Sequence, residues 1–173
     1  MLPLSDIYFT LQIFQKHFLL NEAAQLILQQ FKLQHTNLER FNFTEPVQNG
    51  LLVMTTVGVL GKPQTINIPS NAFLYDAALI VNLIAHEMHH VKQKAPETLV
   101  LDKNEREFQA YSEMIFHEIF PLVPEVSDKQ KVHFINKAFD YYARMGENSE
   151  LQQKYELQKN RLEIILKQLT SKI

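Results

Sequence analysis

Leu74-Tyr75-Asp76-Ala77-Ala78-Leu79-Ile80-Val81-Asn82-Leu83-Ile84-Ala85 runs into His86-Glu87-Met88-His89-His90, and the reading of this stretch decides the rest of the chain. It contains no Gly or Pro and is apolar nearly all round, which predicts a buried helix. Ile80, Ile84, Met88 and Val91 form one apolar stripe at helical spacing, and Leu79, Leu83, His86 and His90 form a second. Four residues advance a helix by about 400°, so His86 and His90 project from nearly the same side and both can reach one metal ion. Glu87 stands about 100° round, where it can touch a water on that ion without being a ligand. Two histidines closing an apolar stripe need partners, because unpaired buried polar groups are costly. The bland alternative is a pair of core histidines satisfied by backbone carbonyls.

A tetrahedral zinc site that keeps an open position wants a third protein ligand. The next helical stretch, Asp102 to Phe120, offers Glu105, Glu107, Glu113 and Glu118. On a helical wheel Glu107 falls among Phe108, Ala110, Tyr111, Met114, Ile115 and Ile119, inside the apolar face. Glu105 and Glu113 fall with Arg106, Gln109 and Ser112 on the side expected to be solvated. Glu118 shares the apolar face but comes three turns later, too far along for the same ion. A carboxylate in a buried face is expensive unless paired or bound to metal, which selects Glu107.

His86-Glu87-Met88-His89-His90, with Gln93 soon after and Glu107-Phe108-Gln109-Ala110-Tyr111 downstream, resembles the gluzincin group of zinc metallopeptidases. The resemblance covers roughly residues 64 to 118, and Tyr111 stands where membrane-bound members often carry Asp. It implies Zn²⁺ on His86, His90 and Glu107, with Glu87 as the general base that takes a proton from a metal-activated water. It also implies a second donor to the oxyanion. Tyr111 is the candidate, with His117, Tyr141 and Tyr142 behind it, and the plain alternative for Tyr111 is a core tyrosine. His89, about 300° round from His86, can sit near the site, but the expectation is that it faces solvent or donates to a carbonyl. Asp76, Asn82 and Glu113 are candidate partners that orient the zinc histidines.

The rest of the chain is read around that helix. A length of 173 residues suggests one domain, 1–173. Apolar residues at 46% and charged residues at 21% are ordinary globular values. A net charge of −2 argues against nucleic acid as a partner, and zero cysteines exclude disulfides and thiolate ligands. The N-terminus lacks a basic signal-peptide region, and polar residues interrupt every apolar run near it, so neither a signal peptide nor a membrane span is expected. The expected location is therefore cytoplasmic.

Residues 5 to 18 read as an amphipathic helix capped by Ser5, and Asn21 to Gln34 as a second capped by Asn21, with Ala24, Leu26, Ile27 and Phe31 inward. The β-branched run Leu51 to Leu60, the punctuation Gly61-Lys62-Pro63 and the alternating Thr65 to Pro69 read as a β-hairpin. By the resemblance, Thr65 to Pro69 is the edge strand that receives extended substrate. Ser127 or Asp128 caps a further helix to about Met145. Asn148 or Ser149 opens a last one to about Ser171, with Leu151, Tyr155, Leu162, Ile165 and Leu169 on one stripe.

The expected fold is α+β and mostly helical: a zincin-like core with a small antiparallel sheet on the metal helix and added terminal helices. The expected function is zinc-dependent peptide-bond hydrolysis, with a protein or peptide as the partner. Two other classes stand beside it. One is a binding or regulatory domain on the same scaffold, and the other is a metal-dependent hydrolase of a non-peptide substrate.

Overall fold

The computed structural model describes residues 2–48 and 52–171. Among them the chain is α+β and mostly helical, with six α-helices and one three-stranded sheet. It forms two compact units: Met1–Leu99 with Phe120–Pro124, and Val100–Ile119 with Glu125–Ile173.

The first unit opens with α1 (Leu4–Lys16) and α2 (Leu20–Gln30). In α1 the buried residues are Ile7 and Leu11, one turn apart. The residue at the N-cap position is Pro3, and Ser5, expected as the cap, lies inside the first turn, its hydroxyl bonded to Asp6. Proline is pre-set for a helix start and has no N–H to satisfy. In α2 the N-cap position is held by Leu19, so Asn21 is no cap either. Ala24, Ile27 and Phe31 are buried as expected, and Leu26 is half-buried. The helix stops at Gln30, four residues early, because Lys32 turns the chain left-handed at φ 53°.

The sheet differs from the expectation of an antiparallel hairpin. It has the order β1-β3-β2, from β1 (Leu38–Thr44), β2 (Thr55–Val57) and β3 (Gln64–Pro69). The hairpin exists, since β2 runs antiparallel to β3 with Thr56 opposite Ile66. It is shorter than its β-branched sequence suggests, and Leu51 lies outside the described residues. β1 adds a parallel partner on the other side, making the sheet mixed and placing β3 at its centre. Thr65 to Pro69 is therefore not an edge strand. Ile66 and Ile68 are fully buried there, and Pro69 is tolerated because β2 has ended before it. The charged pair Glu39-Arg40 masks β1 in the sequence, and the strand accommodates it with a register irregularity between Leu38 and Arg40.

A short 3₁₀ turn (Ala72–Leu74) leads into α3 (Ala77–Gln93). Asp76 caps α3 by accepting the Leu79 N–H at 2.9 Å. Ile80, Val81, Ile84, Met88 and Val91 are buried on α3, and they join Ile7, Ile27, Ile66, Ile68 and Phe73 in one core. Phe120 and Val123 complete that core from far along the chain. The segment carrying them is held to α3 by Asn82, whose Nδ2 donates to the Pro124 carbonyl at 2.7 Å.

The second unit consists of α4 (Lys103–Phe116), α5 (Asp128–Arg144) and α6 (Glu150–Thr170). Phe108, Ile135, Ala138, Tyr155, Leu162 and Leu169 form its core. Asp102 caps α4, and Ser149 caps α6. Ser127 caps α5 in a capping box with Gln130. α4 ends at His117 in the left-handed conformation, φ 49°, rather than continuing to Pro121. The helical wheel misjudged this helix. Glu105 and Glu113, expected on a solvated side, are buried, and Glu118 is exposed. The reason is that each buried carboxylate has partners within this unit. Glu105 accepts from Lys154 Nζ and from the Tyr155 hydroxyl, both at 2.7 Å, and Glu113 accepts the backbone N–H of Glu118 and of Ile119.

Candidate metal centre

α3 brings three of the expected residues together. The one-turn spacing aligns His86 and His90, whose Nε2 atoms lie 3.1 Å apart with the ring planes nearly perpendicular. Two imidazole nitrogens bound tetrahedrally to one zinc at 2.0–2.1 Å would stand about 3.3 Å apart. The pair therefore already has close to the spacing that a shared ion requires. Gln93 stands behind His90, its side-chain carbonyl oxygen 2.8 Å from His90 Nδ1, an arrangement that favours the tautomer with the proton on Nδ1. In that tautomer Nε2, the atom that meets His86, is the nitrogen able to ligate a metal, and the Gln93 contact helps to fix the ring's orientation. Gln93 follows His90 by three residues, the next position on the same helix face, so the sequence held a signal for this partner.

Glu87 is buried on the same helix. Its Oε2 accepts a hydrogen bond from Thr56 Oγ1 at 2.7 Å, and the same hydroxyl stands 3.0 Å from the Glu87 carbonyl. Thr56 is in β2, 31 residues away, and only the pairing of the sheet places it here. No sequence signal singled it out. The strand is also tied just past the end of α3, where Lys94 Nζ donates to the Thr56 carbonyl at 2.7 Å.

His89 is buried, not solvent-facing. Its ring meets Phe120 edge-on at 6.4 Å. Burial, reinforced by the neighbouring His90, His86 and Lys92, pushes its pKa down to about 3, so it stays neutral at ordinary pH. Of the three residues expected to orient the histidines, Asp76 is the α3 cap, Asn82 donates to the Ala78 and Pro124 carbonyls, and Glu113 gathers the two amides after α4. Gln93, which the sequence reading did not single out as an orienting partner, meets His90 Nδ1.

Glu107 and Tyr111 lie one turn apart on α4, in the second unit, and both are half-buried. Tyr111 stacks on Tyr141 with ring centroids 5.8 Å apart and planes 16° from parallel, and it also meets Phe134 at 6.3 Å. Burial raises the pKa of the Tyr141 hydroxyl, and the negative charge of Glu107 raises it further. Arg144 sits over the Tyr141 ring, its guanidinium carbon 5.0 Å from the ring centroid. His117 forms the left-handed end of α4, and Tyr142 donates to the Gln152 carbonyl at 2.9 Å, tying α5 to the start of α6.

No family model matches the chain, and searches of curated proteins and of solved structures give no match either.

Proposed function

We propose that this chain is a zinc-dependent metallopeptidase of the gluzincin type, with a zincin-like arrangement around α3. The observation that carries the reading is the convergence of His86 and His90 Nε2 at 3.1 Å, with His90 fixed from behind by Gln93 and Glu87 alongside. Imidazole and carboxylate donors suit Zn²⁺, and a chain without cysteine has no thiolate to offer in their place. Glu107 is the third ligand in this reading. When bound, zinc supplies a Lewis acid that polarises the scissile carbonyl and acidifies a water. Glu87, next to a ligand but not one itself, takes the proton of that water and passes it to the leaving amine. Tyr111 is the residue assigned to the carbonyl oxygen as its charge develops, a role in which one donor is worth several kcal/mol, roughly 3–4. The substrate is a protein or peptide.

The reading is tested by the metal content of the purified protein, measured by mass spectrometry beside Glu107→Ala and Glu87→Gln variants. The expected result is one zinc per chain, lost in Glu107→Ala and kept in Glu87→Gln, with cleavage of a peptide library abolished by Glu87→Gln. A wild-type protein that takes up no zinc when it is supplied would overturn the reading.

A further inference from the structure

The residue that the proposed reaction does not yet use is Thr56. It meets α3 and the residue that caps its end through two different groups, its carbonyl accepting from Lys94 and its hydroxyl donating to Glu87. Glu87 and Lys94 are seven residues apart, two turns along the helix, so both fall on the side that faces the strand. The carbonyl contact ties the strand to the end of the helix. The hydroxyl does something else. It has one proton, and of the two oxygens in reach the carboxylate oxygen is nearer, at 2.7 Å against 3.0 Å, and is the stronger acceptor.

We infer that Thr56 is a positioning residue for Glu87: its hydroxyl holds Oε2 and fixes the plane of the carboxylate, leaving Oε1 to accept the proton of the attacking water. The inference rests on the peptidase reading for its consequence and on the Thr56–Glu87 geometry for its substance. A glutamate side chain has three rotatable bonds, and a base that must meet a water within hydrogen-bond reach gains from having them fixed. Valine at this position keeps the β-branched shape that suits a strand and removes only the donor. Serine keeps the donor.

The test compares the zinc-supplied wild type with Thr56→Val and Thr56→Ser, reading zinc content, kcat and KM on a fluorogenic peptide that the wild type cleaves. Thr56→Val is expected to keep its zinc and hold KM within about twofold. Its kcat should fall by about tenfold to a hundredfold, the worth of one hydrogen bond to a charged acceptor. Thr56→Ser is expected to restore most of that loss, which a residue that only filled space would not do. An undiminished kcat in Thr56→Val, or a Thr56→Ser no better than Thr56→Val, would overturn the inference. A second readout needs no activity. In NMR spectra of the wild type, the Thr56 hydroxyl proton should be protected from exchange and give a cross-peak to the Glu87 γ protons, with and without zinc. If the wild type cleaves no peptide, the peptidase reading fails on its own. The cross-peak then decides the Thr56 contact, its presence supporting the contact and its absence overturning it.

Discussion

Gln93 meets His90 Nδ1 from one helical turn away and favours the tautomer that presents Nε2. Removing that acceptor takes away one restraint on the ring's orientation and tautomer. Gln93→Ala is therefore expected to weaken zinc binding by about tenfold to a hundredfold, as loss of a ligand's outer partner commonly does, in a competition against a calibrated chelator. Gln93→Glu, which keeps an acceptor there, should bind at least as tightly as wild type. His117 carries a prediction of a different kind. Burial holds its imidazole below its ordinary value of 6.5, and the Glu125 carboxylate, itself paired with Lys131, pulls weakly the other way. A base that is harder to protonate in the folded state leaves the unfolded chain binding more protons, so stability falls as pH drops through 6.5 and levels off below the lowered folded value. Asparagine tolerates the left-handed backbone at this position and does not titrate. Thermal unfolding of His117→Asn should lose less stability than wild type between about pH 7.5 and 5. Among the polar residues, the sequence was legible where spacing alone decides, as in the side-by-side placement of His86 and His90. It was misleading at Glu105 and Glu113, because a wheel ranks positions by the hydropathy of their neighbours. It cannot see that Lys154 and Tyr155 arrive from another helix to pay for a buried carboxylate.

At the scale of elements, the body of α3 was readable because it is apolar and free of Gly and Pro, whereas its Asp76 cap was not, since that residue was expected beside the histidines. Removing the cap in Asp76→Ala is expected to cost about 1 kcal/mol in urea unfolding. The sheet was only half readable. A hairpin is local and leaves a mark in the sequence. The parallel pairing of β1 with β3 is not local, and it moved the strand expected at the edge to the centre. In the second unit the Glu105 network ties the first turn of α4 to α6, and its two bonds should not be equal. Tyr155 is buried, and its hydroxyl also receives a hydrogen bond from Gln109, whereas the Lys154 side chain is 58% exposed. Solvent screens the ion pair and favours the hydroxyl. Glu105→Ala should cost about 1–3 kcal/mol. A double-mutant cycle with Lys154→Met should assign less than about 1 kcal/mol of that to the lysine.

For the molecule as a whole, no helix among the described residues is long and apolar enough to cross a membrane. The two cores share no residue, yet the first is discontinuous in sequence, built from residues up to Leu99 and then again from Phe120 to Pro124. Phe120→Ala should therefore destabilise a core whose other members lie mostly before residue 92, by about 3–5 kcal/mol, and expose the His89 ring that it covers. Hydrogen exchange resolved by segment would show the loss in α3 and β3.

That return of the chain also has a consequence for the order of events on the ribosome. A domain made of one continuous stretch can close as soon as its last residue emerges. Here α3 is complete with its histidines at Gln93, but Phe120, Val123 and the carbonyl that Asn82 seeks are synthesised only after the whole of α4. A nascent chain halted just after Leu99 would display α3 with part of its apolar covering missing, open to chaperones and proteases. One halted beyond Pro124, and clear of the exit tunnel, would have everything the first core needs.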